Sequence, residues 1–296
     1  MTNHVVSQIT VEREHRTTLR KVMVAQDFSK AADRALEDAM ALSERFHSEI
    51  VITHVNSLYA NLFEVSNSQP WHDPVRIAME NLTRRVALAG HHCKEVIRVG
   101  DVAKTLDEIA REECADILLL GAYGDGPKDR VTLGHTAELL LRSASCPMLT
   151  YGPKVTQSLF HIRNRMMSVL VPIELPCDLR YLFFAASIAK LFNAKLELLH
   201  VVDMERAVSM PHAFQDVQYI CEEIATSLRE QGVTVSGSLL FGKPDEAIIS
   251  RCKELQSSFI LIPLETREHL SSATSDNIAA KVIRGAEVPV MTYRID

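Results

Sequence analysis

Gly121 and Gly124 are separated by two residues in the stretch ILLLGAYGDGPKDRVTLGHTAELLLRSASCPML, and Gly134 follows after nine more. Glycine has no Cβ, so a loop carrying these three can turn backbone N–H groups toward an anion and let phosphate oxygens approach closely. The loop follows the apolar run Ile117 to Leu120 and precedes a helix-like run opening near Thr136. The positive end of that helix dipole would fall at the same place. Glycines between a strand and a helix also serve a plain turn, and spacing alone does not separate the two uses. The pattern is not a Walker A loop, which needs Gly-Lys followed by Ser or Thr, nor the dinucleotide GxGxxG. Lys128 and Arg130 in the same loop could reach a phosphate or remain solvated.

Other chemistries leave weaker traces. His91-His92-Cys93 has no acidic or thiol partner at ligand spacing, and adjacent histidines point in different directions, which argues against a metal site. No GxSxG elbow, HExxH helix or nucleophile-base pair stands out. His54 and His200 close two matching apolar runs and read as structural. The six cysteines are scattered singly without CxxC pairs, so they read as reduced, packed thiols of a cytoplasmic protein.

The elements that must position the loop are organised by an internal repeat. LRKVMVAQD matches MMSVLVPIE, closing on Asp27 and Glu174; EIVITHV matches KLELLHV; and SCPMLTY matches EVPVMTY. Gly100 pairs with Gly242, Ile117–Leu120 with Phe259–Ile262 and Pro147 with Pro289 at one constant offset, so no insertion separates the halves there. Each half reads strand, helix, strand, variable segment, helix, strand, helix, strand, helix, strand. Ser29 is a candidate N-cap ahead of the apolar face Ala35, Leu36, Ala39, Met40, Leu42 and Phe46. VMVA, IVITHV, ILLL and PMLTY are nearly continuous apolar runs, as in strands buried on both faces of a parallel sheet. Strands alternating with helices predict a doubly wound α/β sheet in each half.

The boundary is placed at Gly152-Pro153, giving units 1–153 and 154–296. The segment from Ser57 to Pro74, around the single Trp71, reads as a loop over the sheet's ligand edge, either a cover or a plain surface excursion. A length of 296 residues suits two domains, and 47% hydrophobic with 24% charged residues is ordinary for globular chains. The net charge of −6 supplies no broad attraction to nucleic acid or anionic lipid. The leading residues break their apolar positions with Glu and Arg before a signal-peptide core could form, and no run approaches the ~20 apolar residues of a membrane span.

Gly121-x2-Gly124-x9-Gly134 followed by His-Thr-Ala-Glu, with Cys146-Pro147, VAQDFS and the pair His54-Val55, resembles the universal stress protein family. The resemblance covers both halves. It implies a tandem of two five-stranded parallel sheets of the adenine nucleotide alpha hydrolase-like type, paired through their last strands into an intrachain pseudo-dimer. In one subgroup it also implies ATP, with or without Mg²⁺, at the sheet's switch point. Carried over by position, Gly121, Gly124 and Gly134 would surround the phosphates, Asp27 would contact the ribose, and Ala25 and Val55 would line the adenine. Where the subgroup has Ser or Thr after the third glycine this chain has His135, with Thr136 one residue late, about 100° around the helix. A protonated His135 could itself pair with phosphate.

The second half departs further. Pro263, Thr266 and Asp276 replace the three glycines, Pro263 has no N–H to donate, and Asp276, Glu265 and Glu268 would repel a triphosphate. The expectation is therefore a nucleotide-responsive stress protein with one adenine nucleotide site, in its first half. A ligand-free interaction module acting on an unknown protein partner and a slow ATPase stand as alternatives, and homodimerisation of the whole chain is left open.

Overall fold

The computed structural model describes residues 18–57, 74–124, 133–156, 158–159, 166–175, 177–202, 213–264 and 277–294, with side chains of 213–218 set aside. The first half runs β1 (Lys21–Ala25), α1 (Lys30–Phe46), β2 (Glu49–Ser57), α2 (Pro74–Leu88), β3 (Cys93–Gly100), α3 (Val102–Glu112), β4 (Ile117–Gly121), α4 (His135–Ser143) and β5 (Met148–Tyr151). The second repeats it with β6 (Ser168–Ile173), α5 (Leu179–Phe192), β7 (Lys195–Val202), α6 (Ala213–Glu230), β8 (Val235–Phe241), α7 (Pro244–Leu255), β9 (Phe259–Leu264), α8 (Ile278–Gly285) and β10 (Val290–Arg294). The element order predicted from the repeat is the one observed.

Local chemistry sets the helix ends. Ser29 adopts extended backbone and its Oγ accepts from the Ala32 N–H at 3.2 Å, satisfying a donor that the first turn of α1 leaves open. Ala35, Leu36, Ala39 and Leu42 then recur at helical spacing and bury the inner face. Met40 and Phe46, assigned to the same face, are only partly buried at its margin. The helix stops where His47 turns left-handed, and α5 stops likewise at Asn193.

The strands form one ten-stranded sheet in the order β3-β2-β1-β4-β5-β10-β9-β6-β7-β8. Each half is parallel with the same internal order, and the halves join antiparallel through β5 and β10, with Thr150 opposite Val290, Leu149 opposite Met291 and Met148 opposite Thr292. The repeat aligns Leu149 with Met291, so a pseudo-twofold axis passes through that pair and each last strand contacts its own counterpart. The expected intrachain pseudo-dimer is thereby realised, its two sheets fused into one.

Successive strand residues point to opposite faces and feed two apolar layers. Val22 and Val24 pack with α1, α2 and α5 on one face, while Met23 packs with α3, α4, α7 and α8 on the other. Contacts across the halves supplement the strand pairing. Phe46 meets Phe192 edge to face at 5.6 Å, Arg45 donates to the Phe192 carbonyl at 2.9 Å, and Arg294 donates to the Leu141 carbonyl at 2.6 Å. Behind β5 the chain folds back over α1. The buried Asp38 carboxylate accepts from the Tyr151 hydroxyl at 2.6 Å, the Leu159 N–H at 3.0 Å and the Ser158 hydroxyl.

All six cysteines are unpaired. Burial pushes Cys146 and Cys177 up to about 12 and Cys252 up to about 11, so these thiols hold their protons at neutral pH. Among the described residues no helix is long and apolar enough to cross a membrane.

Candidate functional site

Within the first half the chain leaves β1 toward β2 on one side, and the connection from β3 returns to β4 on the other. Ligand crevices of doubly wound sheets lie beyond the carboxyl ends of strands at such a reversal. Asp27 lies just past β1, and Gly121 ends β4. Asp27 Oδ1 accepts from the Ser29 N–H at 3.0 Å, which folds the chain sharply into α1, and Phe28 between them is left-handed at φ 63°. Two contacts brace this turn. Phe28 stacks on His54 at 5.0 Å, and His54 Nδ1 lies 2.7 Å from the Gln26 carbonyl. His200 Nδ1 stands 2.9 Å from the Ile173 carbonyl in the second half, so both histidines tie neighbouring strand ends together.

The glycines divide by what surrounds them. A Cβ on Gly121 would lie 2.9 Å from the Ala31 Cβ, and one on Gly134 would lie 2.6 Å from the Ala122 carbonyl oxygen, to which the Gly134 N–H donates at 3.0 Å. These two glycines are required by close packing of strand, loop and helix. Gly124 is exposed, and among the described residues a Cβ there would meet only Asp27 Oδ2, at 3.2 Å. The fold therefore brings Asp27 beside Gly124 and Gly134 beside the residue following Gly121. Ala25 and Val55 join the apolar layer that includes Ala122, Leu133 and Ala137.

Gly134 is the N-cap of α4 and offers no side chain to its first turn. The N–H groups of His135, Thr136 and Ala137 therefore have no partner within the helix and carry its positive dipole end. His135 is exposed and Thr136 half-buried. Glu138 in the same turn is held by Arg142 at 3.4 Å. Tyr123, beyond Gly121, has its phenol pushed up by burial, an effect opposed by the charge of Arg284 on α8.

The corresponding place in the second half is built differently. β9 continues through Pro263, paired with Tyr293, to Leu264, where β4 has already ended. The helix matching α4 is α8, and its N-cap Asn277 accepts from the Ala279 N–H at 2.8 Å and the Ala280 N–H at 3.4 Å. At the constant repeat offset Asn277 stands where the first half has His135. Among the described residues no side chain caps the first turn of α4, whereas Asn277 caps that of α8. Asn before IAAKVIRG is an N-cap signal legible in the sequence, yet attention to glycines alone passes over it. Thr266, Asp276, Glu265 and Glu268 lie outside the described residues, as do Lys128, Arg130 and the segment around Trp71.

Comparison with known proteins agrees with this architecture. The model of the universal stress protein family matches residues 18–151 and again 166–294. The universal stress protein MJ0577 of Methanocaldococcus jannaschii is 23% identical over 155 residues, covering 46% of this chain and 96% of that one. Among solved structures, a universal stress protein from Archaeoglobus fulgidus is 18% identical with a TM-score of 0.69, covering 93% of this chain and 98% of that one. PA1789 of Pseudomonas aeruginosa, described as functionally unknown, is 17% identical with a TM-score of 0.65, covering 95% and 94%. Two family matches in succession, on two halves related by a pseudo-twofold, establish that the chain belongs to the universal stress protein family as a tandem of two of its domains.

Proposed function

We propose that this protein is a cytoplasmic, nucleotide-responsive regulator that binds one adenine nucleotide, ATP with or without Mg²⁺, in the domain of residues 1–153. The domain of residues 154–296 serves as its ligand-free partner. The observation that carries the reading is the contrast between two equivalent helix N-termini. On α4 the N-cap is Gly134, and no side chain among the described residues caps its first turn; on α8 the Asn277 side chain caps the N–H groups of Ala279 and Ala280. A helix N-terminus with free N–H groups suits phosphate oxygens.

Around it the residues fit the remaining parts of such a ligand. Asp27 Oδ1 is engaged by Ser29, while Oδ2 faces Gly124 and suits the ribose hydroxyls. Ala25 and Val55, in the apolar layer, would line the adenine. The bound nucleotide would bring its phosphate charge to this region and so bias how the two halves or a protein partner engage. A ligand that binds only the folded chain at 100 times its Kd would also stabilise it by about 2.7 kcal/mol.

His135, where a hydroxyl-bearing residue accompanies ATP in the family's binding subgroup, favours a second reading in which the chain acts through protein contacts alone. Calorimetric titration with MgATP separates the two. Saturable binding that Gly124→Val abolishes without unfolding the chain supports the nucleotide reading. Absence of binding at millimolar ATP leaves the interaction module. Release of ADP over time would add hydrolysis.

A further inference from the structure

The pseudo-twofold makes the halves comparable residue by residue, and one surface breaks the correspondence. In the first half α1 and β5 are covered by the chain leading to β6. Val155 and Leu159 are buried there, and Ser158 and the Leu159 N–H are fastened to Asp38 beside Tyr151. Counting back from the left-handed caps His47 and Asn193, the counterpart of Asp38 is Phe184, and the counterpart of Tyr151 is Tyr293. These two rings stack at 3.7 Å. Beside them runs an apolar groove of about 280 Å³, lined by Phe184, Ser187, Ile188, Leu191 and Met291, with Thr18 and Leu19 at its rim. A cavity of ~150 Å³ takes a benzene ring, so this one has room for about two aliphatic side chains.

The symmetry names the occupant. The chain preceding β6 crosses α1, so the chain preceding β1 is the one whose equivalent course crosses α5. Residues 1–17 lie outside the described residues, and the described chain begins at Thr18, on the rim of the groove. From there a segment of about ten residues reaches up to ~33 Å when extended. Its sequence also echoes the first strap: Val6-Ser7-Gln8-Ile9 against Val155-Thr156-Gln157-Ser158-Leu159. The chemistry of the two surfaces differs in the matching sense. Asp38 offers a carboxylate to a hydroxyl and an N–H, whereas Phe184, Ile188 and Leu191 offer apolar surface to a segment carrying Val5, Val6, Ile9 and Val11.

We infer that residues Val5–Val11 dock in the groove between α5 and β10, forming a second strap that fastens the first domain's leading chain to the second domain. The test uses the full chain carrying Trp71→Phe and Ile9→Trp, so that a single indole reports on the segment. The indole should emit to the blue of free tryptophan and be several-fold less open to acrylamide. Ser187→Glu or Leu191→Glu, each checked for unchanged far-UV circular dichroism, should return it to free values. An indole already exposed in the parent chain overturns the inference, as does shielding indifferent to both groove variants. Shielding that vanishes on dilution overturns it too, by assigning the groove to a second copy of the chain.

Discussion

Asp38→Ala should destabilise the protein far more than an average substitution, because the carboxylate it removes is wholly buried and accepts from three donors. Truncation leaves the Tyr151 hydroxyl and the Leu159 N–H in place without an acceptor, while Ser158 can turn its hydroxyl elsewhere. Each stranded buried donor costs about 1–3 kcal/mol. Relief of burying the carboxylate returns part of this. The net loss expected is about 3 kcal/mol, or roughly 6–12 °C in Tm at ~2–4 °C per kcal/mol. Asp38→Asn keeps the shape and one accepting oxygen, and should lose about half as much. Urea denaturation followed by circular dichroism measures the loss. Hydrogen exchange should place the faster amides at 155–159, ahead of the sheet. A loss below about 1 kcal/mol, or a full loss with unaltered exchange there, would refute the assignment of Asp38 as the anchor of that strap.

In the second domain Glu197 is paired with Arg251 at 2.8 Å, and Arg251→Ala should cost about 3–5 kcal/mol by leaving a buried carboxylate without its cation. Burial pushes Glu197 up, but hydrogen bonds from Ser236 and Arg251 outweigh it and hold the group below its ordinary 4.5. Its contribution to stability is then present in full above about pH 4.5 and lost as pH falls through the lowered value of the folded state. Glu197→Gln should flatten that acid limb of the urea midpoint; parallel curves would contradict it. Gly134→Ala forces backbone apart and should cost about 1–3 kcal/mol by thermal denaturation, whereas Gly124→Ala should stay within about 0.5 kcal/mol. Asn277→Ala removes the α8 cap and should cost about 1 kcal/mol by the same measurement.

Much of the fold was legible in the chain because its signals are local and doubled. The run Ile117–Leu120 and its echo Phe259–Ile262 mark buried strands, Ser29 marks a helix start, and the repeat itself implies the pairing of CPMLTY with VPVMTY. The cluster of Asp27, Gly121, Gly124 and Gly134 was legible as a set, though not the separate reasons for each glycine. Only tertiary contacts show that Gly121 and Gly134 answer to Ala31 and Ala122, leaving Gly124 open toward Asp27. Asp38 escaped notice although it interrupts the apolar face of α1, because its partners Tyr151, Ser158 and Leu159 lie more than a hundred residues away. Sequence order carries no sign of such a contact.

The count of nucleotides held per chain at saturating MgATP, measured by equilibrium dialysis with labelled ATP, decides between one site and two. With no side chain among the described residues capping α4 and Asn277 capping α8, one per chain is expected, and none for a folded Gly124→Val variant. Two per chain, or one retained by that variant, would contradict it.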